Sequence, residues 1–326
     1  MTAAFLGFGG YVPERIMTNN DWAELVDTSD EWIRTRTGIS ERRIAADHES
    51  TADLAEQAAL VALKDAGLDG GDIDEIIVAT DTPEVYTPDT AAFLQDRLGA
   101  ASIPAYDLGG SGCAGWVQAI DVARSRIAMN PKRILVVGVE LITRMISWEK
   151  RETAVLFGDG AGAVVMGPDG GDVRLLEVVS GTDGSKADIL TLEAGGTRRP
   201  FNHETLTSGA FNDLVMDGRE VFREAVRRMS STAKEVLERI GVSISDVALV
   251  IPHQANQRII DAVGKTMGLE PDRVYSNIAR YGNIGSATVP FALWEAKETG
   301  RISVGDLVVL VAFGAGFHWA AAAVQF

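Results

Sequence analysis

The stretch YDLGGSGCAGW, residues 106–116, contains the only cysteine of the chain, Cys113. A short extended run leads into glycines, which permit backbone angles that other residues avoid, and an apolar pattern of helical spacing follows from Val117 to Ile127. Cys113 is therefore predicted at a strand-to-helix turn. The free N–H groups and the helix dipole at such a turn favour the thiolate, the form that attacks carbonyls. The alternative is a buried, inert cysteine.

Composition sets limits on the kind of protein. The chain has 326 residues, 46% of them hydrophobic, which is enough for one large or two medium domains with a sizeable core. A net charge of −16 argues against nucleic-acid binding, which needs a basic surface. With no apolar run of membrane-spanning length and no second cysteine to pair within the chain, we expect a cytoplasmic protein that neither spans nor binds a membrane.

Two sets of segments recur along the chain. A helical pattern at 53–66, followed by a glycine and the strand 76–79, is repeated by a helical pattern at 221–240 and the strand 247–251. The Cys113 turn, its helix and the strand 134–138 likewise match a second series, which consists of the turn Tyr281-Gly282-Asn283, a helix at 289–297 and a strand at 307–311.

These repeats predict a duplication, with halves at 1–170 and 171–326. The continuous apolar strands indicate sheets that are buried on both faces. Related turns of the two halves should then meet near one centre, where a site is expected. Ser180 to Asn212 is predicted to be an irregular excursion. The alternative is that ordinary α/β chains also repeat helix-glycine-strand units.

Two further residues are candidates for chemistry with Cys113. His253 follows the strand 247–251, where side chains at sheet ends commonly face a crevice, and Asn283 lies in the turn related to that of Cys113. Taken singly, each is typical of an ordinary hydrogen-bonded or turn residue. Together the three residue types suit thiol chemistry with a histidine partner. The segment 313–317, FGAGF, offers either a backbone oxyanion donor or a plain hairpin turn.

Nucleotide and metal cofactors are disfavoured. The glycine-dense segment 157–163 lacks the spacing of a dinucleotide-binding loop, and no phosphate-binding Gly-Lys-Ser/Thr motif occurs. The four histidines are scattered without the spacing of metal ligands. We therefore expect no metal site.

Several motifs in order resemble the β-ketoacyl-acyl-carrier-protein synthase III family of the thiolase superfamily. The motifs that carry the resemblance are SDEWI (29–33), TRTGI (35–39), GCAG (112–115), FGDGAGA (157–163), HQAN (253–256), YGN (281–283) and FGAGF (313–317). The resemblance implies an α/β thiolase fold of two βαβαβαββ halves in five α-β-α-β-α layers. It also implies a homodimer.

The resemblance implies a decarboxylating condensation that initiates fatty-acid synthesis. Cys113 would take an acyl group from an acyl-coenzyme A primer. His253 Nε2–H and Asn283 Nδ2–H would stabilise the enolate formed when a malonyl thioester on acyl carrier protein loses carbon dioxide. Backbone N–H groups of Cys113 and Ala315 would hold the other oxyanion, and Phe313 would lie beside the malonyl carboxylate. No permanently bound cofactor is implied, because the coenzyme A thioester is a substrate.

The resemblance also implies binding residues. Coenzyme A would contact Thr28, Trp32, Arg36, Arg151, Gly218 and Asn256, with the adenine between Trp32 and Arg151. The acyl pocket would include Thr87, Phe157 and Met216. Acyl carrier protein would dock on Arg223, Gln254, Arg258 and Lys265. Arg219, Arg223 and Arg227 lie four residues apart and form either a positive docking stripe or an ordinary solvated helix face.

Departures from the family pattern leave the primer open. Ile284-Gly285-Ser286-Ala287-Thr288 replaces the usual Thr-Ser-Ala-Ala-Ser, His318 replaces a threonine and Trp116 a phenylalanine. Thr87 replaces a phenylalanine that narrows the primer pocket, so primers larger than acetyl are expected unless Trp116 refills the space. The alternatives are an enzyme of polyketide or other specialised metabolism, a non-decarboxylating acyltransferase, a Cys-His-Asn hydrolase and a non-enzymatic carrier-binding module.

Overall fold

The structure is a computed structural model that describes residues 3–168 and 172–326. The helices within these residues are α1 (Asn19–Ala23), α2 (Asp30–Thr37), α3 (Thr51–Ala66), α4 (Thr90–Arg97), α5 (Gly115–Met129), α6 (Arg151–Ala154), α7 (His203–Thr207), α8 (Gly218–Ile240), α9 (Gln257–Met267), α10 (Ile278–Tyr281) and α11 (Thr288–Glu298). The strands are β1 (Ala3–Tyr11), β2 (Ile16–Thr18), β3 (Glu41–Arg43), β4 (Glu75–Ala79), β5 (Ala105–Leu108), β6 (Ile134–Leu141), β7 (Asp159–Pro168), β8 (Val173–Thr182), β9 (Leu190–Leu192), β10 (Leu214–Met216), β11 (Val247–Pro252), β12 (Leu307–Gly314) and β13 (His318–Gln325).

The main sheet consists of two parts with the same strand order. Five strands of residues 3–168 follow the order β5-β4-β6-β7-β1, and four strands of residues 172–326 follow β11-β12-β13-β8. When the strands of each part are numbered in chain order, the order across the first part is third, second, fourth, fifth, first. The second part has the same order once its third position is included. In the second part the third position is a single parallel bridge between Val250 and Val274. The two parts join where β1 pairs with β8 over Ala3–Phe5.

This shared order supports our proposal that the chain is a duplication. The proposed boundary between residues 170 and 171 lies outside the described residues. The predicted irregular excursion, Ser180–Asn212, contains short elements. They are the end of β8, a 3-10 segment at Gly184–Ile189, β9, α7 and a 3-10 turn at Ala210–Asn212.

Helices and sheets stack in the five layers that were predicted. α3 packs on β1, β6 and β7, and α8 packs on β8, β12 and β13 with α9 beside it. α5 and α11 lie between the two parts of the sheet and share one apolar core with them. Because the sheet strands contact helices on both faces, they carry the continuous apolar runs seen in the sequence.

The two long outer helices have clear start and stop signals. α3 begins after Ser50, whose N–H donates to Asp53 Oδ2 at 2.6 Å, and it ends at Gly67 with φ +66°. α8 begins after Asp217, which accepts from the N–H groups of the first turn, and it ends at Gly241 with φ +69°. Both predicted helices are confirmed, with starts two or three residues earlier because the caps precede the first apolar positions.

Candidate active site

The Cys113 turn and the FGAGF segment approach each other so closely that each needs a glycine at the contact, Gly112 in the turn and Gly314 in the segment. Cys113 lies in the 3-10 turn Gly112–Ala114 between β5 and α5, and Gly112 has φ +54°. A Cβ at Gly112 would lie 2.5 Å from the backbone N of Ala315, and a Cβ at Gly314 would lie 2.5 Å from the backbone N of Cys113. The FGAGF segment is therefore both a hairpin loop, joining β12 to β13, and a backbone wall against the cysteine turn.

His253 is buried at the end of β11 and is held as a neutral ring. The backbone N–H of His253 donates to Val311 O at 2.7 Å. Burial of the side chain lowers the pKa of its imidazole to about 3. His253 Nδ1 lies 2.6 Å from Thr288 Oγ1, which in turn lies 2.9 Å from Gly285 O. The tautomer of His253 follows the direction of the Thr288 hydroxyl. With the hydroxyl hydrogen on Gly285 O, Nδ1 donates to Thr288 and Nε2 is an acceptor, whereas with that hydrogen on Nδ1, Nε2 is the donor that the resemblance implied.

Asn283 is oriented by its own backbone and by the turn that follows. Its N–H donates to Leu156 O at 2.9 Å and its carbonyl accepts from the Gly158 N–H at 3.0 Å. Asn283 Oδ1 accepts from the Gly285 N–H at 2.9 Å. The remaining Nδ2–H group is directed at Cys113, and the hydrogen bond from the Asn283 side chain opposes the rise that burial causes in the pKa of the Cys113 thiol.

The three predicted residues meet around the 3-10 turn Gly285–Ala287. Asn283 precedes this turn, His253 contacts Thr288 after it, and the Gly112–Ala114 turn packs against it. The prediction that the helix start favours the Cys113 thiolate is wrong for the free protein. Burial, followed by the charges of Asp81 and Glu140, raises the pKa of the Cys113 thiol well above its ordinary value.

Sequence reasoning missed Glu140, which joins the residues after β4 to Ser286 in the turn Gly285–Ala287. It is 1% exposed, and Thr82 Oγ1 donates to its Oε2 at 2.7 Å. Ser286 Oγ lies 2.9 Å from Glu140 Oε1 and 2.9 Å from Ala79 O. Desolvation, followed by the charge of Asp81, raises the pKa of Glu140 to about 8, although hydrogen bonds from Thr82, Asp81 N–H and Ser286 act to lower it. Burial therefore favours the protonated carboxyl of Glu140.

A cavity of about 890 Å³ opens from Cys113. Phe157 and Ala315 line it, as implied by the resemblance. Its other walls come from the ends of β4 and β5, from residues 83–89 and from the excursion at 187–201. The sequence analysis did not assign the excursion to the site.

Four residues that were predicted near the acyl pocket do not line this cavity. Thr87 is exposed and does not line the cavity of this chain, although Tyr86 and Pro88 do. Trp116 is fully buried under β6 and donates from Nε1 to Val136 O at 3.4 Å, so it does not refill the pocket. Phe313 packs on Phe317 and Met216 pairs in β10, and neither lines the cavity.

Three of the residues expected to bind coenzyme A form a cluster, in which Trp32 and Arg36 belong to α2 and Arg151 begins α6. The guanidinium carbons of Arg36 and Arg151 each lie 4.5 Å from the Trp32 ring centroid. An adenine between Trp32 and Arg151 therefore requires the arginine to move off the indole. Thr28 Oγ1 is buried without a hydrogen-bond partner in the described chain.

The two predicted pantetheine contacts are in different environments. Asn256 is committed on both ends, since Oδ1 accepts from Arg258 N–H at 2.9 Å and Nδ2 donates to Arg36 O at 3.1 Å. Gly218 is exposed at the start of α8 with no atom near its Cβ position. Gly218 leaves room for a ligand, whereas Asn256 would first have to release a bond.

Of the predicted carrier-docking residues, two are exposed cations without an ion pair in the described chain, Arg258 and Lys265. Arg223 pairs with Glu220, and Arg227 with Glu224 at 2.5 Å, so the arginine row on α8 is largely neutralised. Gln254 is 1% exposed, and it donates to Pro252 O at 2.6 Å and Tyr275 O at 3.2 Å. Its assignment to docking is therefore wrong, because both contacts fix buried backbone.

Within residues 3–168 and 172–326, no group of three or more His, Cys, Asp or Glu side chains is arranged to hold a metal ion. In the same residues no helix combines the length and the apolar character needed to cross a membrane.

The layered fold, with a cysteine, a histidine and an asparagine gathered around one turn, defines a thiolase-like acyltransferase. Family models described as 3-oxoacyl-[acyl-carrier-protein] synthase III match residues 106–184 and, for the C-terminal part, 237–326. The chain belongs to the 3-oxoacyl-[acyl-carrier-protein] synthase III family, as its sequence motifs predicted.

Individual relatives agree along the whole chain. The β-ketoacyl-[acyl-carrier-protein] synthase III of Symbiobacterium thermophilum is 47% identical over 320 residues, which cover 98% of this chain and 96% of that protein. The crystal structure of the enzyme from Thermus thermophilus is 44% identical, covers 99% of both chains and has a TM-score of 0.90. The structure from Aquifex aeolicus is 40% identical, covers 99% of this chain and 100% of its own, and has a TM-score of 0.91.

Proposed function

We propose that this chain condenses an acyl-coenzyme A primer with malonyl-acyl-carrier-protein, releasing carbon dioxide and forming 3-oxoacyl-acyl-carrier-protein. The reaction is the one that initiates fatty-acid synthesis. The observation that carries the proposal is the Cys113 thiol at one end of an 890 Å³ cavity, with a fixed amide donor and a backbone wall beside it.

The first step is acyl transfer to Cys113. Its sulfur attacks the primer carbonyl, the bond from that carbonyl to the coenzyme A sulfur breaks, and coenzyme A leaves as a thiol. Because burial holds Cys113 as a thiol, the step needs a proton acceptor. The Nε2 lone pair of neutral His253 is suited to take the thiol proton and return it to the coenzyme A sulfur. The N–H groups of Cys113 and Ala315 would hold the oxyanion.

The second step makes the carbon–carbon bond. The malonyl carboxylate leaves as carbon dioxide, and its bonding electrons form an enolate whose oxygen accepts from Asn283 Nδ2–H. His253 adds a second donor only with its proton on Nε2, the tautomer in which the Thr288 hydroxyl donates to Nδ1. The enolate carbon attacks the acyl-Cys113 carbonyl, and the cysteine sulfur leaves and regains a proton.

Binding of the two thioesters would use separate surfaces. We place coenzyme A beside Trp32, Arg36 and Arg151, where the unpartnered Thr28 hydroxyl is available to a ligand. Acyl carrier protein, an acidic partner, would dock near Arg258 and Lys265. The absence of a permanently bound cofactor and a cytoplasmic location stay predictions.

We also propose a homodimer. Tyr86 is 84% exposed and Val85 43% exposed at the edge of the cavity, and a second copy would cover these apolar side chains. Light scattering after size exclusion tests this, and a monomer at micromolar concentration would contradict it.

The decisive experiment follows mass on the protein. Wild type mixed with an acyl-coenzyme A should gain the acyl mass, and malonyl-carrier thioester should then remove it as 3-oxoacyl product. Cys113→Ser should gain no acyl mass, because a hydroxyl at this turn ionises far less than a thiol. Acylation of Cys113→Ser at the wild-type rate would contradict the proposal, and an adduct released only by water would indicate a hydrolase.

A further inference from the structure

A second carboxylate lies beside the nucleophile and has no role in the reaction above. Asp81 follows β4, and it lines the same cavity as Cys113. Asp81 Oδ1 accepts from the Gly110 N–H at 2.9 Å, so the side chain is held towards the glycine-rich loop that carries the cysteine. Its charge acts on Cys113 directly, ranking after burial among the influences that raise the pKa of the thiol.

The neighbours of Asp81 do not cancel its charge. Burial and the charge of Asp81 raise the pKa of Glu140 to about 8, which favours its neutral carboxyl, and a carboxyl cannot neutralise a second carboxylate. His318 is the basic side chain whose charge would act on Asp81, but desolvation lowers the pKa of His318, which leaves the ring neutral near pH 7. His318 Nδ1 lies 2.8 Å from Thr182 Oγ1. Burial raises the pKa of the Asp81 carboxyl, and the Gly110 and Gly112 N–H groups offset part of that rise because they stabilise its charged form. In that charged form, Asp81 places a negative charge, which these neighbours do not cancel, in the cavity that Cys113 lines.

We propose that Asp81 makes the acyl pocket selective for charge, so that Cys113 accepts neutral or cationic acyl groups and rejects anionic ones. The inference rests on the proposed function, since it concerns which acyl group reaches the nucleophile. It has a consequence for the order of reaction. Both substrates are thioesters, and a malonyl group carries a carboxylate, so repulsion by Asp81 hinders malonyl transfer to Cys113 and reserves the cysteine for the primer.

The test uses acyl-coenzyme A pairs of matched shape and different charge. Succinyl is compared with 4-methylpentanoyl, in which two methyl groups replace the carboxylate oxygens, and β-alanyl is compared with butyryl, in which a methyl replaces the ammonium. Loading of Cys113 is measured by intact mass for wild type, Asp81→Asn and Asp89→Asn. The side-chain amide in Asp81→Asn keeps an oxygen acceptor for the Gly110 N–H. Asp89 lines the same cavity but is exposed, so solvent screens its charge.

In wild type, the neutral member of the succinyl pair should load faster, and Asp81→Asn should reduce that preference by at least about tenfold. In the same variant, loading of the β-alanyl group should become slower relative to loading of the butyryl group. Asp89→Asn should leave both ratios within about twofold of wild type. If the ratios of charged to neutral acyl loading are equal in wild type and Asp81→Asn, the inference is overturned. Loading of the neutral acyl groups in that experiment would still support the proposed function. Failure of every thioester to load would instead overturn the proposed function.

Asp81→Thr provides a second neutral variant if Asp81→Asn does not fold. It keeps a short side chain with an acceptor oxygen, and the same loss of charge selectivity is expected. Retained selectivity in a folded Asp81→Thr protein would assign the discrimination to the apolar walls of the cavity.

Discussion

The Cys113 turn and the Asn283 turn have the same backbone architecture, but different neighbouring groups hold each of them in place. Each is a 3-10 turn that leads into a central helix, and each holds a glycine of positive φ, +54° at Gly112 and +58° at Gly285. Each glycine packs on the other part of the sheet. Gly112 faces the loop after β12, and Gly285 faces Glu140 near the end of β6.

The difference lies in what holds each turn and what each turn faces. Backbone contacts with the loop after β12 support the Cys113 turn, which opens on the acyl cavity, and the Asp81 carboxylate accepts from the Gly110 and Gly112 N–H groups beside it. A buried side-chain network through Glu140 and Ser286 supports the Asn283 turn, which does not line that cavity. A nucleophile needs room for the acyl group, whereas a donor needs a fixed direction, and one duplicated turn meets both needs through different neighbours.

The largest expected effect separates the two turns by chemical step. Asn283→Ala removes the Nδ2–H donor, so decarboxylation of the malonyl thioester should fall by about 100- to 1,000-fold, as for loss of one oxyanion donor. Acyl loading of Cys113 should fall by less than about tenfold, because the loading oxyanion uses backbone donors. Parallel assays of loading and carbon dioxide release measure the split. Equal losses in both steps would show that the turns do not divide the work.

Matched glycine substitutions compare the two supports. Gly112→Ala places a Cβ 2.5 Å from the backbone N of Ala315, and Gly285→Ala places one 2.5 Å from Glu140 Cγ. Both have positive φ, and together strain and overpacking should cost about 2–3 kcal/mol of unfolding free energy in each. Gly112→Ala should mainly slow loading and Gly285→Ala mainly decarboxylation.

Gly67→Ala is the control for the glycine pair, since it has φ +66° but no atom within 4 Å of the new Cβ. Chemical denaturation measures the unfolding free energy of all three variants. A loss at Gly67 as large as those at the two turns would assign the effect to backbone strain alone, with no part for the contacts between the turns and the opposing sheet.

The repeated pattern was enough to place both turns in advance. The apolar residues follow a helical period in the helices that begin near 53 and 221, and they form continuous runs in the strands 134–138 and 307–311. This repetition was enough to predict that Cys113 and Asn283 lie in related turns. The sequence did not specify which atoms face the site. The tautomer of His253 depends on Thr288, and the thiol pKa depends on Asp81, contacts that form only in three dimensions.

Two missed residues had recognisable signals. Glu140 is a carboxylate inside the continuous apolar run of β6, which is unusual unless it is bonded or functional. Asp81 follows a buried strand in the way that His253 does, and the same argument from strand ends would have selected it. The role of Thr87 in the primer pocket stays a prediction, since its sequence neighbours Tyr86 and Pro88 line the cavity of this chain and Thr87 does not.

The side-chain network of the Asn283 turn predicts that the folding stability depends on pH through Glu140. Folding raises the pKa of Glu140 from 4.5 to about 8, so the folded state keeps a proton that the unfolded state releases. The contribution of Glu140 to stability is therefore fully present below pH 4.5 and is lost as pH rises through about 8. Over this window the loss should be on the order of a few kcal/mol.

Glu140→Gln tests this dependence, because the glutamine side chain keeps an acceptor oxygen for Ser286 and does not titrate. Its unfolding free energy between about pH 5 and 9, from urea titrations, should fall less than that of wild type. The buried Asp159, whose pKa is raised to about 6, is present in both proteins and cancels in the difference. Parallel curves for wild type and variant would place the proton elsewhere than on Glu140.

The smallest expected effect concerns the room in front of the Cys113 turn. Ala194 is 3% exposed and lines the acyl cavity, so Ala194→Phe should fill space that a long primer would occupy. Each buried methylene is worth about 0.8 kcal/mol, so displacing two of them should lower octanoyl loading relative to acetyl loading by roughly tenfold. Ala92→Phe, on the exposed side of α4, is the matched control and should leave that ratio unchanged. Because the Asn283 turn does not face the cavity, decarboxylation of the malonyl thioester should also be unchanged in Ala194→Phe. An equal fall in acetyl and octanoyl loading would mean that the phenylalanine disturbs the turn itself, and the acyl chain would then have to lie along another wall.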